Sequence, residues 1–477
     1  MKTAGLTVLS VLCAACTGPA ASTSLMDSMP SGHDVYIIMS PERAGIEQVL
    51  TEFEGYFGSS DAGPAGAGDV IGFDPLDWQG WTEALTLRPG DDIGLVLDLD
   101  QGDIRVITVY LPSDDATAVE GFVTGIRERA GEADAAARFI RTGEYTAVSF
   151  FGNEFDPGPE TGYHLDSSLR DYPDYSRLAG DPPEGNAVLI VFANAGAFPG
   201  TEGLGSALLE CTESGSMITI AAGFSTDGDL PYLSILSPGG ACGEVTVPEG
   251  TNAAARISLD MPCVKDLLVE GGIDREFGMG IEEFGFSSFD EMFDCFGGAF
   301  YAGVLLSGEK QGGVLQFSLR DVDAVTRMLD LIFRTVAGSD DPGMTTFEFR
   351  GGYCYRTTST GSTGIDFIEF GIIDDAVAIG ANISIEDIAA GMVFSDYASA
   401  TSLGLDCGGG LIVTADLGSI AGSDAVDEDL IERLNGSGIR RCAASAGYSE
   451  GILDAAVCLE FAEGGGFMNL LRFLSGI

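Results

Sequence analysis

Segments of this chain echo one another in a fixed order, 209 to 229 positions apart. "DVYIIMSPERAGIEQVLTEF" from Asp34 matches "AAARISLDMPCVKDLLVEGG" from Ala253: each reads as a strand, a break with proline, then an amphipathic helix. "GLVLDLDQGDIRVITVYLPSDDATAVEGFVTGI" from Gly94 matches "GVLLSGEKQGGVLQFSLRDVDAVTRMLDLI" from Gly303, each a hairpin followed by an apolar-periodic helix. "AVSFFGN" from Ala147 then echoes "AVAIGAN" from Ala376, and "NAVLIVFANAGAF" from Asn186 echoes "GGLIVTADLGSI" from Gly409. Repetition clustered about one spacing points to two similar bodies, with chance likeness between strand-rich segments as the alternative. The expectation is an α+β fold of two homologous halves, 34–245 and 250–477, each a twisted antiparallel sheet with packed helices.

Composition supports packed cores and narrows the partners. Hydrophobic residues make up 45% of the chain, yet its formal net charge is −50, with lysine only at Lys2, Lys265 and Lys310. Phosphate polyanions and anionic headgroups would be repelled, so no nucleic acid partner is expected.

The N-terminus carries an address. Lys2 precedes the apolar run "AGLTVLSVL", which is too short to span a bilayer, and the run leads into "CAAC" ending at Cys16. This resembles a bacterial lipoprotein signal, in which small residues precede the cysteine that becomes lipidated. It departs from that pattern at Cys13, where Leu, Val or Ile is usual, so ordinary cleavage after Ala20 or Ser22 remains open. The reading is a signal peptide over 1–15, a lipid on Cys16 and a flexible tether over 16–33. A lipid on Cys16 also leaves eight cysteines, which all can pair.

Hairpin reasoning suggests two of those pairs. "MITIAAGF" and "LPYLSIL" around "STDGD" would bring Cys211 near Cys242, and "RRCAASAGY" and "ILDAAVCLEF" around "SEG" would set Cys442 opposite Cys458. The low-crossing completion joins Cys263 to Cys295 and Cys354 to Cys407, which makes the fold disulfide-stapled in an oxidising compartment, with free structural cysteines as the alternative. Zinc has no C-x-x-C pair and only His33 and His164 to use.

A family likeness follows from "IGFDPLDWQGWTEALTLRPGDDIGLVLDL", Ile71 to Leu99, with its "FDPLD" phrase. The stretch resembles domain-of-unknown-function families of extracytoplasmic, often lipid-anchored bacterial envelope proteins. The resemblance implies an address and an architecture. Those families have no assigned activity, so it carries over no residue roles.

Candidate chemistry is thin. "GYSEG" at Gly447–Gly451 spells the nucleophile-elbow pattern, but the elbow needs a strand-to-helix turn and a later histidine, and none follows Ser449. The segment reads instead as a tight turn with Ser449 and Glu450 at its tip. Asp98, Asp100 and Asp103 in "DLDQGD", and Asp227 with Asp229, place oxygens close together as calcium prefers, though without a full loop. Trp78 and Trp81 read as core rather than as a sugar platform. The expected function is therefore non-enzymatic: a lipid-anchored envelope protein, on the outer membrane or facing the periplasm, that binds or scaffolds a protein or glycan partner. The alternative is a calcium-dependent adhesion or ligand-binding module. No other cofactor is expected.

Overall fold

The structure is a computed structural model of the chain. It describes residues 23–40, 44, 71–74, 77–88, 90–100, 103–130, 137–151, 167–179, 187–194, 198, 204–226, 231–236, 244–273, 281–307, 310–337, 344–350, 352–358, 365–405, 410–423, 431–432, 435–436, 438–462, 464, 466–467 and 469–470. The signal segment, Cys16, His164, Asp227, Asp229, Cys242 and Cys407 lie outside the described residues. The chain divides into two compact units, Met1–Asp227 with Glu463–Ile477, and Gly228–Ala462.

The first unit is built on one antiparallel sheet. Its strands are β1 (Val35–Met39), β2 (Ile93–Asp100), β3 (Asp103–Leu111), β4 (Ala137–Thr142), β5 (Tyr145–Phe151), β6 (Ala187–Asn194), β7 (Leu204–Ser214) and β8 (Met217–Thr226). Their spatial order is β4-β5-β3-β2-β1-β6-β7-β8. Runs of Val, Ile, Phe and Tyr fit this pleated surface, and both faces are packed rather than one. On one face lie α1 (Thr23–Ser28) and, further along, α4 (Pro173–Ala179), burying Leu25, Met29, Tyr36, Tyr175 and Phe192. On the other lie α2 (Trp78–Leu85) and α3 (Ala116–Ala130). Trp81 is the anchor there, edge-on to Phe73 at 5.1 Å and to Phe122 at 5.6 Å. Such ring pairs add about 0.5–1.5 kcal/mol beyond burial.

The second unit holds the pair β9 (Thr246–Val247) with β17 (Met392–Val393) and a larger antiparallel sheet. The sheet strands are β10 (Ala253–Ser258), β11 (Phe296–Ser307), β12 (Lys310–Leu319), β13 (Met344–Phe349), β14 (Gly352–Thr358), β15 (Phe367–Ile373), β16 (Ala376–Ala381), β18 (Leu411–Asp416), β19 (Ile439–Ser449) and β20 (Ile452–Phe461). They run β13-β14-β15-β16-β12-β11-β10-β18-β19-β20. From β15 to β20 this is the same sequence of connections as β4 to β8 in the first sheet; the β13–β14 hairpin is an extension at the edge. Helices in chain order are α5 (Pro231–Ser234), α6 (Met261–Glu270), α7 (Phe289–Phe293), α8 (Val322–Ala337), α9 (Ile385–Ala389), α10 (Phe394–Thr401) and α11 (Leu417–Ala421). Asp260 caps α6 through the Cys263 amide, with proline in its first turn, as the sequence signals.

Three expectations change here. First, the tether reading fails from Thr23 onward, because α1 is folded and Leu25 and Met29 are fully buried against β1 and β6 residues. Second, "MITIAAGF" does not pair with "LPYLSIL". It is β8 and pairs with β7, while Pro231–Ser234 is helical. Proline at the start of a helix and the better apolar alternation of "LGSALLECT" decide this. Third, the described cysteines, Cys211, Cys263, Cys295, Cys354, Cys442 and Cys458, are thiols and form no disulfide among themselves. The β19–β20 hairpin does form, but Cys442 faces Leu459 and Ala443 faces Cys458. That shift of one residue sends the two sulfurs to opposite faces of the sheet, and no bridge can cross it.

Candidate functional site

The register of the second sheet defines a surface. Ile257 shares a face with Ala253 and Ala255 on β10; Ala253 lies opposite Val304 of β11, and Val304 opposite Gly313, two residues from Leu315 on β12. In the other direction Ala255 meets Val413 of β18, Val413 meets Ala444 of β19, and Ala444 meets Val457 of β20. None of these residues is charged, in a chain of net charge −50. Ile257, Val304, Leu315 and Val457 are 37%, 45%, 49% and 39% exposed.

Burial explains why this face stands out. α9 and α10 pack on the opposite face, around Ala254, Tyr301, Val314 and Ile412. On the apolar face itself, the described residues of α8 and α7 pack at the end near Leu319 and Val377, alongside Phe317 and Ile379. An antiparallel sheet with one solvated face normally alternates apolar and polar residues. Here the residues Ile257, Val304, Leu315 and Val457 are apolar although they remain partly in water.

The sequence candidates fall elsewhere. Ser449 is the last residue of β19 and pairs with Ile452. Glu450 at φ 51° and Gly451 at φ 74° make the two-residue reversal, the left-handed pair that a tight hairpin needs. Ser449 thus precedes a strand, not a helix, and the tip is Glu450–Gly451 rather than Ser449–Glu450. Trp78 and Trp81 are both core. Asp98 is engaged: its Oδ1 lies 2.6 Å from His33 Nδ1. Asp100 and Asp103 are register partners at the end of the β2–β3 hairpin, with side chains outside the described residues. Among the described residues no group of three His, Cys, Asp or Glu side chains is arranged to hold a metal. Burial pushes the Cys211 thiol up to about 12 and the Cys354 thiol up to about 11, far from the thiolate range that reactive cysteines need. Among the described residues no helix is long and apolar enough to cross a membrane.

The apolar face escapes a sequence reading because alternation shows which residues share a face but not which face is covered; Ile257 alternates with Arg256 and Leu315 with Gln316, so the polar residues mark the covered side. A signal was present: "AAARIS", "AASAG" and "AAV" put small residues where a solvated face would carry charge.

Comparison with protein-family models returns no match, and comparison with curated proteins returns none. Among solved structures, crystal form III of TP0453 is similar at 11% identity and a TM-score of 0.26, over 44% of this chain and 83% of that one. Crystal form I of TP0453 is similar at 10% identity and a TM-score of 0.21, over 44% and 81%. Likeness at this level carries no argument about fold or function.

Proposed function

We propose that this is an extracytoplasmic protein of the cell envelope, attached through a lipid on Cys16, with a non-enzymatic binding or scaffolding role. Its partner is another envelope protein, which lays an apolar surface of its own on the open face of the second sheet. The signal-like N-terminus supports the address. The observation that carries the binding role is the uncharged, partly exposed face at Ile257, Val304, Leu315 and Val457. A flat surface paved with Ala253, Ala255, Ala444 and Gly313 suits the broad, close approach of a protein surface. A glycan or nucleic acid would find no polar side chain among Ile257, Val304, Leu315 and Val457 to recognise. We further read the two units as copies of one ancestral unit, supported by their common strand order and by the recurring sequence segments.

The test is site-specific photo-crosslinking in native envelopes, with the reactive residue at Leu315 and a control at exposed Glu386 on α9. A discrete adduct from position 315, absent from 386 and lost on adding Val457→Glu, is expected. No adduct from 315, or one indifferent to Val457→Glu, would overturn the reading.

A further inference from the structure

On the helix-covered face of the second sheet, one row of side chains reads Gln316, Tyr301, Arg256, Ile412 across β12, β11, β10 and β18. Gln316 is satisfied, donating to the Thr246 carbonyl and accepting from the Thr246 amide. Its neighbours are not. Arg256 lies half-buried with its Cζ 5.5 Å from the centre of the Phe394 ring, and its Nε is buried without a hydrogen-bond partner. Among the described residues it makes no ion pair. Glu244 is the one acid felt there, and it is exposed. Tyr301, directly opposite in register, is buried, and its hydroxyl also has no partner. Its polar neighbour Thr251 donates elsewhere, to the Pro248 carbonyl. Both Arg256 and Tyr301 pack on the same ring, since Tyr301 sits edge-on to Phe394 at 5.8 Å.

A guanidinium drawn out of water is costly unless it gains an acceptor, and a ring face recovers only part of that cost. Packing alone would be served better by an uncharged side chain. A guanidinium and a phenol, both lacking acceptors and both against one aromatic ring, match an oxygen-rich anionic group attached to an apolar body. We infer that Arg256 and Tyr301 form a binding site for the acid group of a small organic anion, a carboxylate or phosphate, whose apolar part lies against Tyr397, the partly exposed ring neighbour of buried Phe394. The site is on the face opposite the proposed protein contact and does not rest on that reading.

The experiment is a thermal-shift titration of the full protein with benzoate and with phenyl phosphate, using benzyl alcohol as the uncharged control. A saturable rise in Tm with an acid and none with the alcohol is expected, and the stronger of the two probes identifies the acid group. Arg256→Met should remove the rise, weakening binding by about tenfold or more, as loss of a charged hydrogen-bonding partner does. Without probe the same variant should melt no lower than the wild type, because no hydrogen bond or ion pair is lost and the methionine side chain still packs on the Phe394 ring. No rise with either acid, a rise that survives Arg256→Met, or a probe-free Tm well below wild type would each overturn the inference. The last outcome would make Arg256 a structural residue.

Discussion

The two units thread their sheets in the same order but finish them differently. In the first, a segment of the chain itself completes the inner face. α1 buries Leu25 and Met29, and the Tyr36 hydroxyl donates to the Pro30 carbonyl at 2.8 Å while accepting the His33 amide at 2.9 Å. In the second, Arg256 and Tyr301 occupy the middle of the corresponding face with no acceptor, and the outer face stays partly open. The lesson is that strand order sets where side chains stand, while local additions decide whether a face is finished as core or left as a surface. A shared scaffold therefore need not mean a shared role for the two units.

Substitution of the two inner tyrosines should break or sharpen that contrast most strongly. Tyr36→Phe strands the His33 amide and the Pro30 carbonyl, a loss of about 1–3 kcal/mol, and should lower Tm clearly. Tyr301→Phe removes a hydroxyl that has no partner and should leave stability within about 0.5 kcal/mol of wild type, measured by denaturant unfolding. Equal losses in the two variants would erase the distinction between the units.

Two carboxyls give a smaller effect of opposite sign. Burial raises the pKa of Glu210 in the first unit. The folded state therefore holds its proton more tightly, so its contribution is present below the unfolded pKa and is lost as pH rises through the folded one. In the second unit the hydrogen bond from Arg441 lowers the pKa of Glu460. Its contribution is present above the unfolded pKa and is lost as pH falls through the folded one. Glu210→Gln should raise Tm at pH 7 and change little at acid pH, whereas Glu460→Gln should lower it slightly at pH 7, the pair being more exposed and screened. Melting curves across pH check both signs.

Much of the architecture was legible in the sequence, and the reasons are local. Alternating runs such as "VYIIM" and "AVLIVFAN" became β1 and β6, and "SEG" gave a reversal because Gly451 accepts the left-handed backbone. The failures were matters of register and burial. The two alternating runs around "SEG" put Cys442 and Cys458 on paired strands, but a single residue of register decides which face each sulfur takes. "TSLMDS" looks like a linker because it is short and small-sided; tertiary packing alone makes Leu25 core. The open face was illegible for a related reason, since an apolar residue reads the same whether a helix covers it or not.

The central claim is that the outer face of the second sheet is open in the chain alone and covered in its native setting. Hydroxyl-radical footprinting of Val304, Leu315 and Val457, read by mass spectrometry in the purified protein and again in intact envelopes, tests it directly. Strong labelling of all three in isolation and protection in the envelope is the predicted result. Equal labelling in both settings would contradict the account.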